Sequence, residues 1–187
     1  MKIKKAIDIC KKSKMIATFY VKDEQWITNG EACFSVAGIC NLNEEYICAL
    51  YDISDKQREK IQFKIGVNAP EVVSRGDIDP AETEAQILKI GVDLDGLGLC
   101  IPLKTEQGII FIQRRYLEPL LDVPESELMF YKRTTDDGKK TFIAVKIGLL
   151  LYAIIAPVII NDEVVRTLEN LYTAAKIANF NNLGGSE

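Results

Sequence analysis

One order of secondary-structure signals occurs twice along this chain of 187 residues, and that repetition constrains its fold more than any other feature. The first unit reads as a helix over residues 2–13 followed by three antiparallel strands, Met15–Val21, Gln25–Thr28 and Glu31–Val36. The second reads as a short helix over 113–122 followed by Leu128–Arg133, Thr141–Ile147 and Leu149–Val158. In each unit an aromatic opens the second strand and a glycine follows it, Trp26 with Gly30 and Phe142 with Gly148. A helix-plus-meander unit cannot cover its own apolar face. Two copies are therefore expected to pack their sheets side by side about a pseudo-twofold, with helices on one face. The predicted class is α+β: a duplicated helix plus antiparallel three-strand meander, with a C-terminal helix.

Local signals support the pattern. On helix 2–13 a 100° spacing gathers Ile3, Ala6, Ile7 and Cys10 on one stripe and Lys4, Lys5, Lys11 and Lys12 opposite. Asn29-Gly30 spells a two-residue hairpin, and Asp137-Gly138 marks another turn. Asn41 with Glu44, and Ser54 with Gln57, have capping-box spacing, and residues 60–67 read as extended. Asp79 as N-cap, Pro80 and Glu82 predict a helix from 79 to about 90. Leu97–Leu103 and Gly108–Ile112 form a hairpin signal, and Pro119 compromises the helix at 113–122. Asn161 caps a closing helix that buries Val164, Val165, Leu168, Leu171, Tyr172 and Ala175. The expected organisation is one domain over 1–180, with repeat units at 1–65 and 97–160, an insertion at 66–96, an added helix at 162–178 and a frayed tail at 181–187.

Composition excludes several chemistries. Histidine is absent, which removes His-dependent triads, Cys-His nucleophiles and most zinc hydrolase sites. The five cysteines, Cys10, Cys33, Cys40, Cys48 and Cys100, contain no C-x-x-C pair and read as reduced core hydrophobes in a cytoplasm. The N-terminus lacks the apolar stretch of a signal peptide. The apolar run Ile147–Ile160 is shorter than the roughly 20 residues of a membrane-spanning helix, and Gly148 and Pro157 break it, so it reads as buried strand.

The segment from Val21 to Ala32, with Thr28-Asn29-Gly30-Glu31-Ala32 at its end, is similar to the T-D-G-x-R/A strand–turn–strand of bacterial replicase clamps. Leu151-Tyr152-Ala153-Ile154-Ile155-Ala156-Pro157 is similar to their closing V-I-M-P strand. Over residues 1–160 the chain thus resembles the DNA sliding-clamp family, which includes the bacterial replicase clamp and proliferating cell nuclear antigen and whose domains duplicate such a unit. The resemblance implies a single clamp-like domain that works by binding duplex DNA, with the helices facing the DNA. It departs from the family in length: clamp chains carry two or three such domains, so a ring here requires several copies assembling head to tail. A single domain that never closes into a ring is the other outcome.

Charge agrees with that implication. Residues 1–22 hold seven lysines against Asp8, a balance of +6, while the remaining 16 basic and 26 acidic residues leave −10. A basic strip on an acidic protein suits a phosphate-tracking surface, and a solvated helix face accounts for the same charges. The candidate DNA-binding residues are Lys4, Lys5, Lys11 and Lys12, with Arg114 and Arg115. Asp93-Leu94-Asp95-Gly96 lacks the later ligands of a calcium loop, and Gly96 and Gly98 precede a strand, the wrong context for phosphate binding. Asp77 with Asp79, or Glu82 with Glu84, are candidate acid–base pairs, although capping explains Asp79 and Glu82. Trp26 and Phe142 read as core aromatics. The expectation is a non-enzymatic, cytoplasmic protein without metal or cofactor. Its partner is duplex DNA, a homo-oligomer or partner peptide is open, and membrane is not expected. A protein-interaction adaptor that keeps the fold and lacks DNA binding is the alternative, and a carboxylate-based enzyme comes third.

Overall fold

The computed structural model describes residues 1–38, 41–88, 90–161, 163–167, 169, 170 and 172–174. Helix α1 (Ile3–Lys12) buries Ala6, Ile7, Ile9 and Cys10, and its basic last turn, Lys11 and Lys12, lies at the favourable end of the helix dipole. Strands β1 (Met15–Val21), β2 (Glu24–Thr28) and β3 (Ala32–Ser35) follow as an antiparallel meander. The β2–β3 turn sits one residue later than the Asn29-Gly30 spelling predicts. Asn29 N–H donates to the Ala32 carbonyl at 3.3 Å, and Gly30 takes the first central position with φ +90°. The Asn29 side chain builds the turn instead of occupying its centre, accepting from the N–H groups of Glu31 at 3.1 Å and Ala32 at 2.8 Å. A side chain at Gly30 would also meet Met15 Cε at 2.7 Å.

Next come α2 (Glu44–Leu50), α3 (Asp55–Arg58) and β4 (Gln62–Lys64), the last pairing parallel with β1. The Ser54–Gln57 capping box is present: Ser54 N–H donates to Gln57 Oε1 at 3.0 Å. For α2 the cap is Asn43, whose side chain accepts from Tyr46 N–H at 2.9 Å, and not Asn41, which has φ +57°. Then follow α4 (Glu71–Ser74), β5 (Thr83–Glu84), β6 (Gln86–Ile87), β7 (Val92–Leu94), β8 (Gly98–Thr105) and β9 (Gly108–Gln113). The second unit begins with η1 (Arg114–Leu120), tightened into a 3₁₀ helix that contains Pro119, which has no N–H to donate. It continues with β10 (Leu128–Thr134), β11 (Thr141–Ile147) and β12 (Leu150–Ile155).

Helices and strands mix as an α+β fold. One sheet has eight strands in the order β4-β1-β2-β3-β12-β11-β10-β5. From the β3–β12 seam outward, each side presents the third, second and first strand of a unit and then a short edge strand. The third strands pair antiparallel, Phe34 opposite Ala153. The helices of both units lie on one face. There α1 and η1 are joined by Lys2 N–H donating to the Pro119 carbonyl at 2.7 Å, and Ile7, Cys10, Tyr116 and Leu120 pack on Ile27, Phe34, Val145 and Ala153. A second sheet, β6, β7 and β9 around β8, flanks η1. Val165 and Tyr172 pack on its Leu88, Cys100 and Phe111, and Asn161 Oδ1 caps their segment by accepting from Glu163 N–H at 2.9 Å. Leu168, Leu171, Ala175 and the tail at 181–187 lie outside the described residues.

The helix expected over 79–90 does not form; the chain there runs extended into β5 and β6. Asp79 does accept from the Ala81 N–H at 3.0 Å, but the charged side chains of the pattern are taken up by basic partners outside it. Asp79 Oδ2 accepts from Arg75 at 2.9 Å, and Glu82 Oε2 accepts from Arg133 at 2.8 Å while its Oε1 pairs with Lys146. Arg133 is wholly buried and also donates to the Val72 carbonyl at 2.9 Å. These bonds fasten 71–84 across the sheet face opposite the helices, where Val72 and Val73 cover Phe19, Trp26, Ala144 and Leu151. Trp26 stacks on Phe19 with centroids 6.2 Å apart, as a core aromatic, and half-buried Phe142 packs against the same cluster.

Removing one member of a buried charge network leaves its partners less compensated where water cannot reach them. Arg133→Met is expected to lower the free energy of unfolding by about 3–5 kcal/mol, read from urea denaturation followed by Trp26 fluorescence. Lys139→Ala, which breaks an exposed pair with Asp137, serves as the comparison and is expected to change it by no more than about 0.5 kcal/mol.

Candidate functional site

Packing α1 on η1 brings Lys5 of the candidate cations together with Arg114 and Arg115. Lys4, Lys5, Lys12, Arg114 and Arg115 are exposed, and Lys5, Arg114 and Arg115 line one groove together with Lys2. Lys11 departs from the group: it is half-buried, and its Nζ donates to the Tyr51 carbonyl at 3.4 Å. Acidic residues interleave with the cations. Lys2 pairs with Asp122 at 2.6 Å, Lys5 approaches Glu118 at 3.8 Å and Arg115 approaches Glu31 at 3.4 Å. Among the described residues Lys4, Lys12 and Arg114 have no ion-pair partner.

Arg115 is held in place from η1. Its guanidinium stacks on Tyr116, 4.9 Å from the ring centroid, and donates to the Tyr116 hydroxyl at 2.9 Å. That hydroxyl in turn donates to Glu31 beside the β2–β3 turn. Burial, and then the bond to Glu31, push the Tyr116 hydroxyl pKa up, so the phenol stays protonated as a donor. The clasp ties η1 to the first meander. Reading the sequence one helix at a time missed both Tyr116 and Glu31, because 85 residues separate them.

The other candidates do not assemble into a reactive centre. Asp79 and Glu82 are consumed by Arg75, Arg133 and Lys146, and Asp77 Oδ1 accepts from Leu151 N–H at 2.8 Å. Glu84 lies exposed on β5, paired across from Tyr131. Burial pushes the Cys10 thiol up to about 12 and the Cys33 thiol up to about 11, so both stay neutral inside the core. Cys100 is buried and Cys48 half-buried, whereas Cys40 lies outside the described residues. No cluster of three or more Cys, Asp or Glu side chains suited to a metal ion occurs among the described residues. Asp93 lies in β7, Asp95 opens the turn to β8, and Gly98 opens β8 as a strand. No helix among the described residues is long and apolar enough to cross a membrane, and the run from Ile147 to Ile160 contributes β12.

A second feature adjoins the cations. Between η1, the chain after it and the second sheet runs an open groove of about 1220 Å³ with aliphatic walls. The sequence held no warning of it, since Leu97 and Leu99 read simply as strand residues. No family model, curated protein or solved structure matches the chain.

Asp79 carries a titration consequence. Burial pushes its pKa up, but the Arg75 hydrogen bond, the Ala81 N–H and the charges of Arg75 and Arg133 outweigh it and hold the carboxyl below the usual carboxylate range. Its stabilisation is therefore complete above the unfolded value of about 3.9 and is lost as pH falls through the lower folded value. Circular-dichroism melts are expected to show the melting temperature falling below about pH 4. Asp79→Asn is expected to be less stable at neutral pH and to lose less on the same acidification.

Proposed function

We propose that the protein is a non-enzymatic binding module that contacts duplex DNA through phosphates, without sequence specificity. One observation carries the reading: α1 lies against η1, so that Lys5 shares a groove with Arg114 and Arg115, while Lys4 and Lys12 stand exposed on the same helix. Lys4, Lys12 and Arg114 are exposed and have no ion-pair partner among the described residues, as phosphate contacts tolerate, and Tyr116, on which Arg115 stacks, is buried and offers no face for stacking bases. Glu118, Asp122 and Glu31 reduce the net charge of the face, so the affinity it supplies is modest and strongly dependent on salt. Lys11 contributes less than its neighbours because it is engaged with Tyr51. The resemblance to sliding clamps points the same way, with the duplicated unit presenting its helices to the DNA.

Fluorescence anisotropy with a labelled duplex tests the reading. Log affinity is expected to fall linearly with log salt, at a slope near −0.9 per phosphate contacted. Replacing Lys4, Lys5 and Lys12 by Glu is expected to abolish binding, while each exposed change alters stability by no more than about 0.5 kcal/mol. Absence of binding by the unaltered chain at low salt makes the lysines a solvated face and leaves the adaptor reading in place.

A further inference from the structure

The cover on the sheet face opposite the helices is attached by charge more than by packing. Main-chain bonds pin it at both ends: Val67 N–H donates to the Thr18 carbonyl of β1 at 2.9 Å, and Ala85 N–H donates to the Phe130 carbonyl of β10 at 2.8 Å. Between those pins, over residues 68–82, no main-chain to main-chain hydrogen bond reaches the sheet among the described residues. Within the same stretch only Val72, Val73 and Asp79 are buried. Every polar tie to the sheet and to the β10–β11 turn runs through a charged side chain. Arg133 donates to the Val72 carbonyl at 2.9 Å, Arg75 donates to the Thr134 carbonyl at 2.8 Å, Asp77 accepts from Leu151 N–H at 2.8 Å, and Glu71 accepts from Asp136 N–H at 2.6 Å. Asp79 and Glu82 complete the set on Arg75, Arg133 and Lys146.

Few buried apolar side chains and no backbone ladder are the properties of a segment that opens locally, below the cost of global unfolding. Lifting this one returns Arg133, Lys146, Asp79 and Glu82 to water together, so that regained hydration offsets the lost ion pairs. It also relieves Trp26, whose indole N–H is buried with no hydrogen-bond partner among the described residues while the cover is down. The helix side is held differently. There Ile7, Cys10, Tyr116 and Leu120 are buried against the sheet, and hydrophobic contact, not charge, keeps α1 and η1 in place.

We infer that residues 68–82 form an electrostatically latched strap, which lifts from the sheet as one unit while the helix-side core stays packed and thereby bares Trp26 and Cys33. Both residues belong to the cluster that Val72 and Val73 cover. Glu82 is the centre of the latch, because its one carboxylate takes both Arg133 and Lys146. Arg75 is its outer fastening, tied to Glu71, Asp79 and Asp136 at once. The strap is a conformational device of the fold, and it does not depend on duplex binding, which is assigned to the α1 and η1 side.

Native-state thiol labelling of the full chain tests the strap. The folded protein is treated with N-ethylmaleimide at neutral pH over a range of low urea concentrations, and the rate at each cysteine is read by mass spectrometry of its peptide. Cys33 is expected to react about tenfold faster than Cys10, which α1 holds against the sheet, and with a weaker dependence on urea, because local opening exposes less surface than global unfolding. Glu82→Gln is expected to speed the reaction of Cys33 about tenfold and to widen its lead over Cys10. Acrylamide quenching of Trp26, the single tryptophan, is expected to rise in the same variant with the far-UV circular dichroism retained. Arg75→Ala, which cuts the outer fastening, provides the decisive variant if Glu82→Gln does not fold. Equal rates with equal urea dependence at Cys33 and Cys10 in the unaltered chain overturn the inference, and so does a latch variant that speeds both cysteines alike.

Discussion

The antiparallel seam between β3 and β12 is the contact on which the rest of the structure depends. Each meander is apolar on both faces: in β3 alone, Ala32 and Phe34 face the helices while Cys33 faces the opposite layer. A three-stranded sheet buried on both sides has no stable existence without a neighbour and a cover. The seam supplies the neighbour and turns two short sheets into one of eight strands. It also sets the covers, because joining third strand to third strand puts α1 and η1 on the same face, close enough for the Lys2–Pro119 bond.

The opposite face is closed by different chemistry. Val72 and Val73 provide the apolar cover, but charges decide where it sits: Arg133, fully buried, is satisfied only when Glu82, the Val72 carbonyl and nearby Asp79 surround it. Buried ion pairs add little net stability because desolvation offsets their attraction. Their effect is on arrangement, since any other docking of residues 71–84 would leave Arg133 or Glu82 buried alone. The same bonds leave Asp79 and Glu82 paired with basic side chains.

The helix face and the groove share η1, and its 3₁₀ form matters to both. The Tyr116 clasp fixes the start of η1 to the first meander, so Arg114 and Arg115 project beside α1. From the same short element Leu117 points to the groove, and Leu121 follows just beyond it. Exposed cations and the apolar groove are thereby placed next to each other, with Lys5, Arg114 and Arg115 lining that groove.

Much of this was legible in the sequence because its causes are local. The apolar stripe of α1, the six strands of the two meanders, the hairpin at Leu97–Ile112 and the Ser54–Gln57 box follow from side-chain periodicity and turn chemistry within a few residues. The same reasoning failed at Asp79-Pro80 and Glu82, where a sound helix-start pattern was overridden by Arg75, Arg133 and Lys146, the nearest of them four residues away and the farthest 64. It could not reveal the groove, whose walls come from β8 and η1 and meet only after the second sheet packs. The sequence by itself determined which segments pleat, coil and turn, and that the unit occurs twice. The tertiary structure alone decided which buried charges meet, which lysines stay free and where apolar surface remains open, because each depends on contacts between residues far apart in the chain.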